Sequence, residues 1–171
     1  SAYAYKMTGD RRYLEFAEQN MNTVCAFKDW NESHFLDVGE MAMGVAIGYD
    51  WLYNDLSEET KEKARCAINK YAFDQTRVTK YCRFYKAKNN WNQVCNGGLV
   101  AAALATYEHN PEIAEKLILD AVESNVEPVE EMYGQDGNYV EGYSYWNYGT
   151  LYQCVLMTAL ETALGTDFGL S

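Results

Sequence analysis

Hydrophobic and polar positions along the chain fall into helical periods broken by polar loops. Leu14, Ala17, Met21, Val24 and Cys25 recur at helical spacing and predict a helix over about Asp10 to Ala26. Gly9 ends an opening helix before it, and Asp10 is placed to cap it. Phe27 to Ser33 reads as a polar, aromatic loop. A second helix is predicted over about Phe35 to Tyr53, with Gly39, Ala42, Gly44 and Ala46 set among Met41, Val45, Gly48 and Leu52. A helix so apolar around its circumference is buried on several sides. Ser57, followed by Glu58 and Glu59, predicts the start of a charged, solvated third helix running to about Lys80. Tyr81 to Asn89 is a basic loop, and a fourth helix is predicted from about Asn90 to Glu108. Asn110-Pro111 reads as an N-cap followed by proline at the first helical position. It starts a fifth, more charged helix ending near Pro128. Glu130 to Gly142 reads as a loop. The last helix is predicted from Tyr143 to Leu164, stopped by Gly165.

Apolar inner helices thus alternate with charged outer ones, the pattern of αα-hairpins. The expected fold is all-α, a single domain over 1–171, with the hairpins arranged as an α/α toroid. No strict repeat is visible, which argues against the common open solenoids.

Composition narrows the function. Of 171 residues, 48% are apolar, enough for a sizeable core. The net charge of −11 argues against nucleic acid and against an anionic membrane surface. No stretch reaches membrane-spanning length, so membrane insertion is not expected. The 15 tyrosines and four tryptophans suit packing on pyranose faces, although tyrosines also fill helix interfaces. The five cysteines form no metal-type pair and read as mostly buried free thiols, so neither a metal nor a cofactor is expected. The chain opens on Ser1-Ala-Tyr-Ala-Tyr-Lys-Met, which reads as a helix already under way. It is expected to be a piece of a longer protein, so the lack of a signal peptide carries no statement about export.

Three constellations carry candidate chemistry. Asn89, Asn90, Asn92, Gln93 and Asn96 place five amides in ten residues at the start of a buried-looking helix, beside Gly97-Gly98. Two adjacent glycines cost about 2 kcal/mol relative to alanine, so something compensates. Tight packing with a simple N-cap is one reading, and a ligand site is the other. Glu141, Tyr145, Tyr148 and Tyr152 recur at steps of four, three and four, placing a carboxylate and three phenols near one helix face beside Trp146. Leu151, Cys154 and Val155 lie elsewhere and can serve the core. The stripe is either aromatic packing or a sugar groove. The run from Trp30 to Glu40 carries His34 ahead of a buried helix, facing a cleft or bonded to the backbone, and Asp37 in the first turn.

The runs His34-Phe-Leu-Asp-Val-Gly-Glu, Gly48-Tyr-Asp-Trp-Leu-Tyr53, Asn89-Asn-Trp-Asn-Gln-Val-Cys, Glu141-Gly-Tyr-Ser-Tyr-Trp-Asn-Tyr-Gly149 and Gly165-Thr-Asp-Phe-Gly-Leu170, in this order, resemble the helical domain of heparinase II/III-like proteins. The ordered set carries the resemblance; it specifies no substrate. It implies a toroid followed by a C-terminal β-sandwich domain of the same parent chain, and a periplasmic or secreted lyase acting on an anionic uronic-acid polysaccharide. In β-elimination the C5 proton lies α to a carboxylate, whose developing enolate-like charge needs donors. A tyrosine, sometimes with a histidine, moves the protons.

By this resemblance Asn90 matches the carboxylate-neutralising asparagine, and Tyr145 or Tyr148 the catalytic tyrosine, with His34 a further candidate. Asn89, Trp91, Asn92, Glu141, Trp146, Tyr152 and Trp30 are the expected substrate-binding residues. Several relatives carry histidine directly after the asparagine, where this chain has Trp91. Another histidine often comes from the sandwich domain. Arg83, Lys86 and Lys88 offer a local basic rim that offsets the acidic surface. Two alternatives stand beside the lyase. One is a glycoside hydrolase pairing Glu141 with Asp136, Asp37 or Glu40, inverting hydrolysis needing roughly 6.5–9.5 Å between carboxyls. The other is a non-catalytic glycan-binding relative.

Overall fold

The computed structural model describes residues 1–171 and is all-α: seven helices and no strand. They are α1 (Ala2–Thr8), α2 (Arg11–Cys25), α3 (Phe35–Trp51), α4 (Glu58–Ile68), α5 (Asn90–Ala105), α6 (Pro111–Met132) and α7 (Tyr143–Leu164). Gly9 closes α1 in the left-handed conformation at φ 68°. Asp10 caps α2 through Arg12 N–H, and Ser57 caps α4 through Thr60 N–H.

The elements form two layers. His34 lies against Trp91, and Gly39 against Gly98, so residue numbers rise together and α3 and α5 run parallel. Gly149 meets Gln93 and Tyr152 meets Gly97, so α5 and α7 are parallel too. These three apolar helices make the inner layer, with α5 in the middle. On the outer side, α6 pairs with α5 in the opposite sense: Lys88 reaches Glu131, while Asn96 reaches Ser124. In α2 and α4, Glu18 receives Ser57 and Asn22 donates to Thr60. This is an array of αα-hairpins.

The glycine pair in α5 is explained by this layering. A Cβ on Gly98 would lie 2.1 Å from the Gly39 carbonyl oxygen of α3, and one on Gly97 would lie 3.0 Å from the Tyr152 carbonyl oxygen of α7. Each glycine faces a different neighbour, and their helix cost is the condition for two close backbone crossings at once.

Several boundaries differ from expectation. The third helix was expected to continue to Lys80. Instead α4 ends at Ile68, a π turn covers Asn69–Phe73, and a 3₁₀ turn follows over Asp74–Arg77. Polar side chains there take backbone carbonyls: Asn69 donates to Arg65, Gln75 to Lys70 and Thr76 to Phe73. The basic loop holds a 3₁₀ turn over Cys82–Lys86 that buries Phe84. The fourth helix stops at Ala105, where the Thr106 hydroxyl donates to Ala102 O, and a 3₁₀ turn covers Tyr107–His109. Asn110 occupies the N-cap position of α6 without a side-chain cap bond.

The fifth helix continues through Pro128 to Met132. Proline lacks the N–H that would reach Ser124 O. The Asn92 side chain supplies it instead, donating to Ser124 O at 3.0 Å. Leu151 and Cys154 are exposed, not core; Gln153, Leu156 and Leu160 fill that role. All five cysteines are free, but only Cys95 is buried.

Candidate functional site

Because the inner helices run parallel, their first turns lie at one end of the layer. His34 occupies the N-cap position of α3. Its Nδ1 is 3.2 Å from Asp37 Oδ1, and Asp37 Oδ2 accepts from Asn31 Nδ2 at 2.5 Å. Asn31 sits at φ 56°, a region asparagine tolerates. The imidazole packs edge-on to Trp91 at 4.9 Å. An Asn–Asp–His chain therefore fixes the ring and leaves Nε2 unclaimed.

Asn89 caps α5, its Oδ1 accepting from Trp91 N–H at 3.1 Å. Asn90, only 2% exposed, holds the Glu141 carboxylate. Its backbone N–H donates to Oε2 at 2.7 Å, and Nδ2 lies 2.8 and 3.0 Å from the two carboxylate oxygens. The helix N-terminus adds its positive end. Asn90 Oδ1 is buried without a partner.

One turn further in, the Tyr148 hydroxyl donates to Glu40 Oε1 at 2.6 Å, joining α7 to α3 across α5. Burial, and then Glu40, raise the Tyr148 pKa far above that of a free phenol. Burial pushes Tyr152, edge-on to Tyr148 at 5.5 Å, up to about 12. Tyr145 is different: half of it is exposed. It precedes Gly149 by one turn, and Gly149 faces Gln93, so Tyr145 stands level with Asn89 and Asn90. Trp146 stacks on Tyr143 at 6.0 Å, beside a shallow cavity of about 480 Å³ that Gly137, Asn138 and Gly142 also line.

Two expected contacts lie elsewhere. Trp30 is buried, donates to Val24 O and packs on Tyr71; it belongs to the core, since a lone aromatic in a loop fills the gap between helices. Asn92 is fully buried. Its Nδ2 reaches Ser124 O, and its Oδ1 accepts from Asn96 and Asn125. Asn125 and Gln153 exchange two further bonds. Most of the amide cluster is thus an interior network locking α5, α6 and α7. Gln93 belongs to the same group, donating to Tyr133 and accepting from Tyr139. In the basic rim, Lys88 is held by Glu127 and Glu131, while Arg83 and Lys86 are exposed.

Sequence reasoning missed the Asn31–Asp37–His34 chain. The signal was present in His34 and Asp37, three apart across a helix start, but the third member sits in an irregular loop. It also missed Glu40 as the partner of Tyr148, 108 residues away.

No model of a known protein family matches the chain, and no curated protein matches it.

Proposed function

We propose that the chain is the helical domain of a lyase that cleaves a uronic-acid polysaccharide by β-elimination. The observation that supports this best is the His34–Asp37–Asn31 chain packed against Trp91, next to Asn90. Where several heparinase II/III-like proteins carry histidine after the asparagine, this chain has tryptophan, and an oriented imidazole from α3 lies on that tryptophan. With Nδ1–H directed to Asp37, the Nε2 lone pair is the base. It takes the C5 proton as the C4=C5 double bond forms and the C4–O bond breaks. Asn90, at the start of α5, supplies the donors for the charge that develops on the uronate carboxylate. Tyr145 gives its phenolic proton to the departing oxygen.

Tyr148 fits neither proton role, because its hydroxyl is pinned to Glu40 and a phenolate there would face that carboxylate. It serves as a strut between α3 and α7. In this reading the hairpin array closes into an α/α toroid with a β-sandwich beside it, in the periplasm or outside the cell. Trp146, Tyr152 and Trp91 then border the sugar groove.

The test incubates the protein and its His34→Ala, Asn90→Ala and Tyr145→Phe variants with heparin-type, chondroitin-type, alginate and pectin-type polymers. A new ultraviolet absorbance from an unsaturated uronide is expected on one polymer, falling by about 10²-fold or more in His34→Ala. New reducing ends without absorbance would replace the lyase by a hydrolase. Binding with neither product would make it a glycan-binding protein.

A further inference from the structure

Glu141 makes the contacts that a substrate carboxylate would make. On the lyase reading just given, we infer that Glu141 is a resident latch in the carboxylate cradle of Asn90, which an incoming uronate must displace.

Three features support the latch. Glu141 engages both the backbone N–H and the Nδ2 of Asn90, at the N-terminus of a 16-residue helix. It does not satisfy the cradle. Asn90 Oδ1, in a side chain 2% exposed, has no donor, and an ionised carboxylate has no proton to offer it. A uronate sugar brings both partners, a carboxylate for the N–H groups and hydroxyls that can donate to Oδ1. Release needs little rearrangement. Two residues before Glu141, Tyr139 is buried and bonded to Gln93 Oε1 at 2.9 Å, which holds the backbone. Glu141 itself is only partly buried, and the next residue, Gly142, is exposed at φ 82°, so the carboxylate sits at the solvent border of the cradle.

A tethered group competes at an effective concentration on the order of millimolar or above. Removing it is expected to raise the cradle's affinity for a free uronate by about tenfold or more. The probe is D-glucuronate, with D-glucose as the uncharged control, titrated by calorimetry and by NMR of the side-chain amides. The protein is compared with Glu141→Ala, Glu141→Gln and the Asn90→Ala/Glu141→Ala double variant.

The latch predicts that Glu141→Ala gains glucuronate affinity, that Glu141→Gln gains less, and that glucose gains nothing. It also predicts that the double variant loses the gain. Glu141→Ala, folded by circular dichroism, binding glucuronate no better than the wild type would overturn the latch. So would a gain that survives in the double variant. Where Glu141→Ala does not fold, Glu141→Gln decides on the same readout. The ultraviolet assay keeps the two ideas apart. A glucuronate gain without unsaturated product retains the latch and removes the lyase; unsaturated product without a gain does the reverse.

Discussion

Gly98→Ala tests the account of the inner layer. The new methyl group would lie 2.1 Å from Gly39 O, 2.6 Å from its carbonyl carbon and 2.7 Å from its Cα. All three are backbone atoms, so no side chain can turn aside. Restoring a 3.0 Å contact parts α3 from α5 by roughly 1 Å at the crossing. A gap of about 0.5–1 Å forfeits a quarter to a half of each dispersion contact, and Val38, Ala42, Cys95 and Leu99 are all buried. Overpacking of this kind costs about 1–3 kcal/mol, occasionally more, while alanine returns about 1 kcal/mol of helix propensity. The crossing is backbone on backbone, so the cost falls at the upper end, and a net loss of about 2–3 kcal/mol is expected. For a chain this long that is a fall in Tm of about 5–10 °C. Gly44, on the exposed side of α3, has nothing within 4 Å of its Cβ position. Gly44→Ala is therefore the matched control, with an expected gain of about 0.5–1 kcal/mol. Urea titrations and thermal melts of both variants give the answer. Gly98→Ala as stable as Gly44→Ala would refute the close crossing.

Other predictions follow the polar contacts. Asn92→Ala leaves Ser124 O without its donor and is expected to cost about 3 kcal/mol; adding Pro128→Ala restores a backbone N–H to that carbonyl and should recover about 1 kcal/mol, measured as a double-mutant cycle in urea. Independent, additive losses would remove the link between the two residues. Tyr148→Phe is expected to lower stability by about 1–2 kcal/mol while sparing most activity, and Tyr145→Phe to do the opposite; the reverse pattern would exchange their roles. The Glu18 carboxylate is held below its ordinary pKa of 4.5, first by the Ser57 hydroxyl. Its contribution is present above that value and disappears as pH falls through the lower folded one, so the stability gap between wild type and Glu18→Gln should close in acid. A gap independent of pH would contradict this.

The sequence made the helices legible where local signals decide them. Gly9, Asp10, Ser57 and Gly165 punctuate the chain through their own backbone and side-chain preferences, and the structure uses each as expected. It misled where a distant side chain intervenes. Pro128 reads as a stop until Asn92, 36 positions earlier, supplies the missing donor. The same holds at the candidate site. The spacing from Glu141 to Tyr152 placed a stripe of polar rings on one helix. It did not reveal that Glu141 is clasped by Asn90 or that Tyr148 is tied to Glu40, since both depend on how separate helices align. Asn92 and Asn90 are two residues apart and look alike in sequence. One is interior glue and the other meets a carboxylate, because a helix turns by about 100° per residue and the two face different neighbours.

The most direct test of the central claim is to digest the responsive polymer in heavy-oxygen water and weigh the products by mass spectrometry. Elimination predicts fragments whose masses sum to that of the substrate, with no heavy oxygen at the cleaved bond and an unsaturated end on one fragment. Fragments that together gain one water, with the label at the new end, would contradict β-elimination.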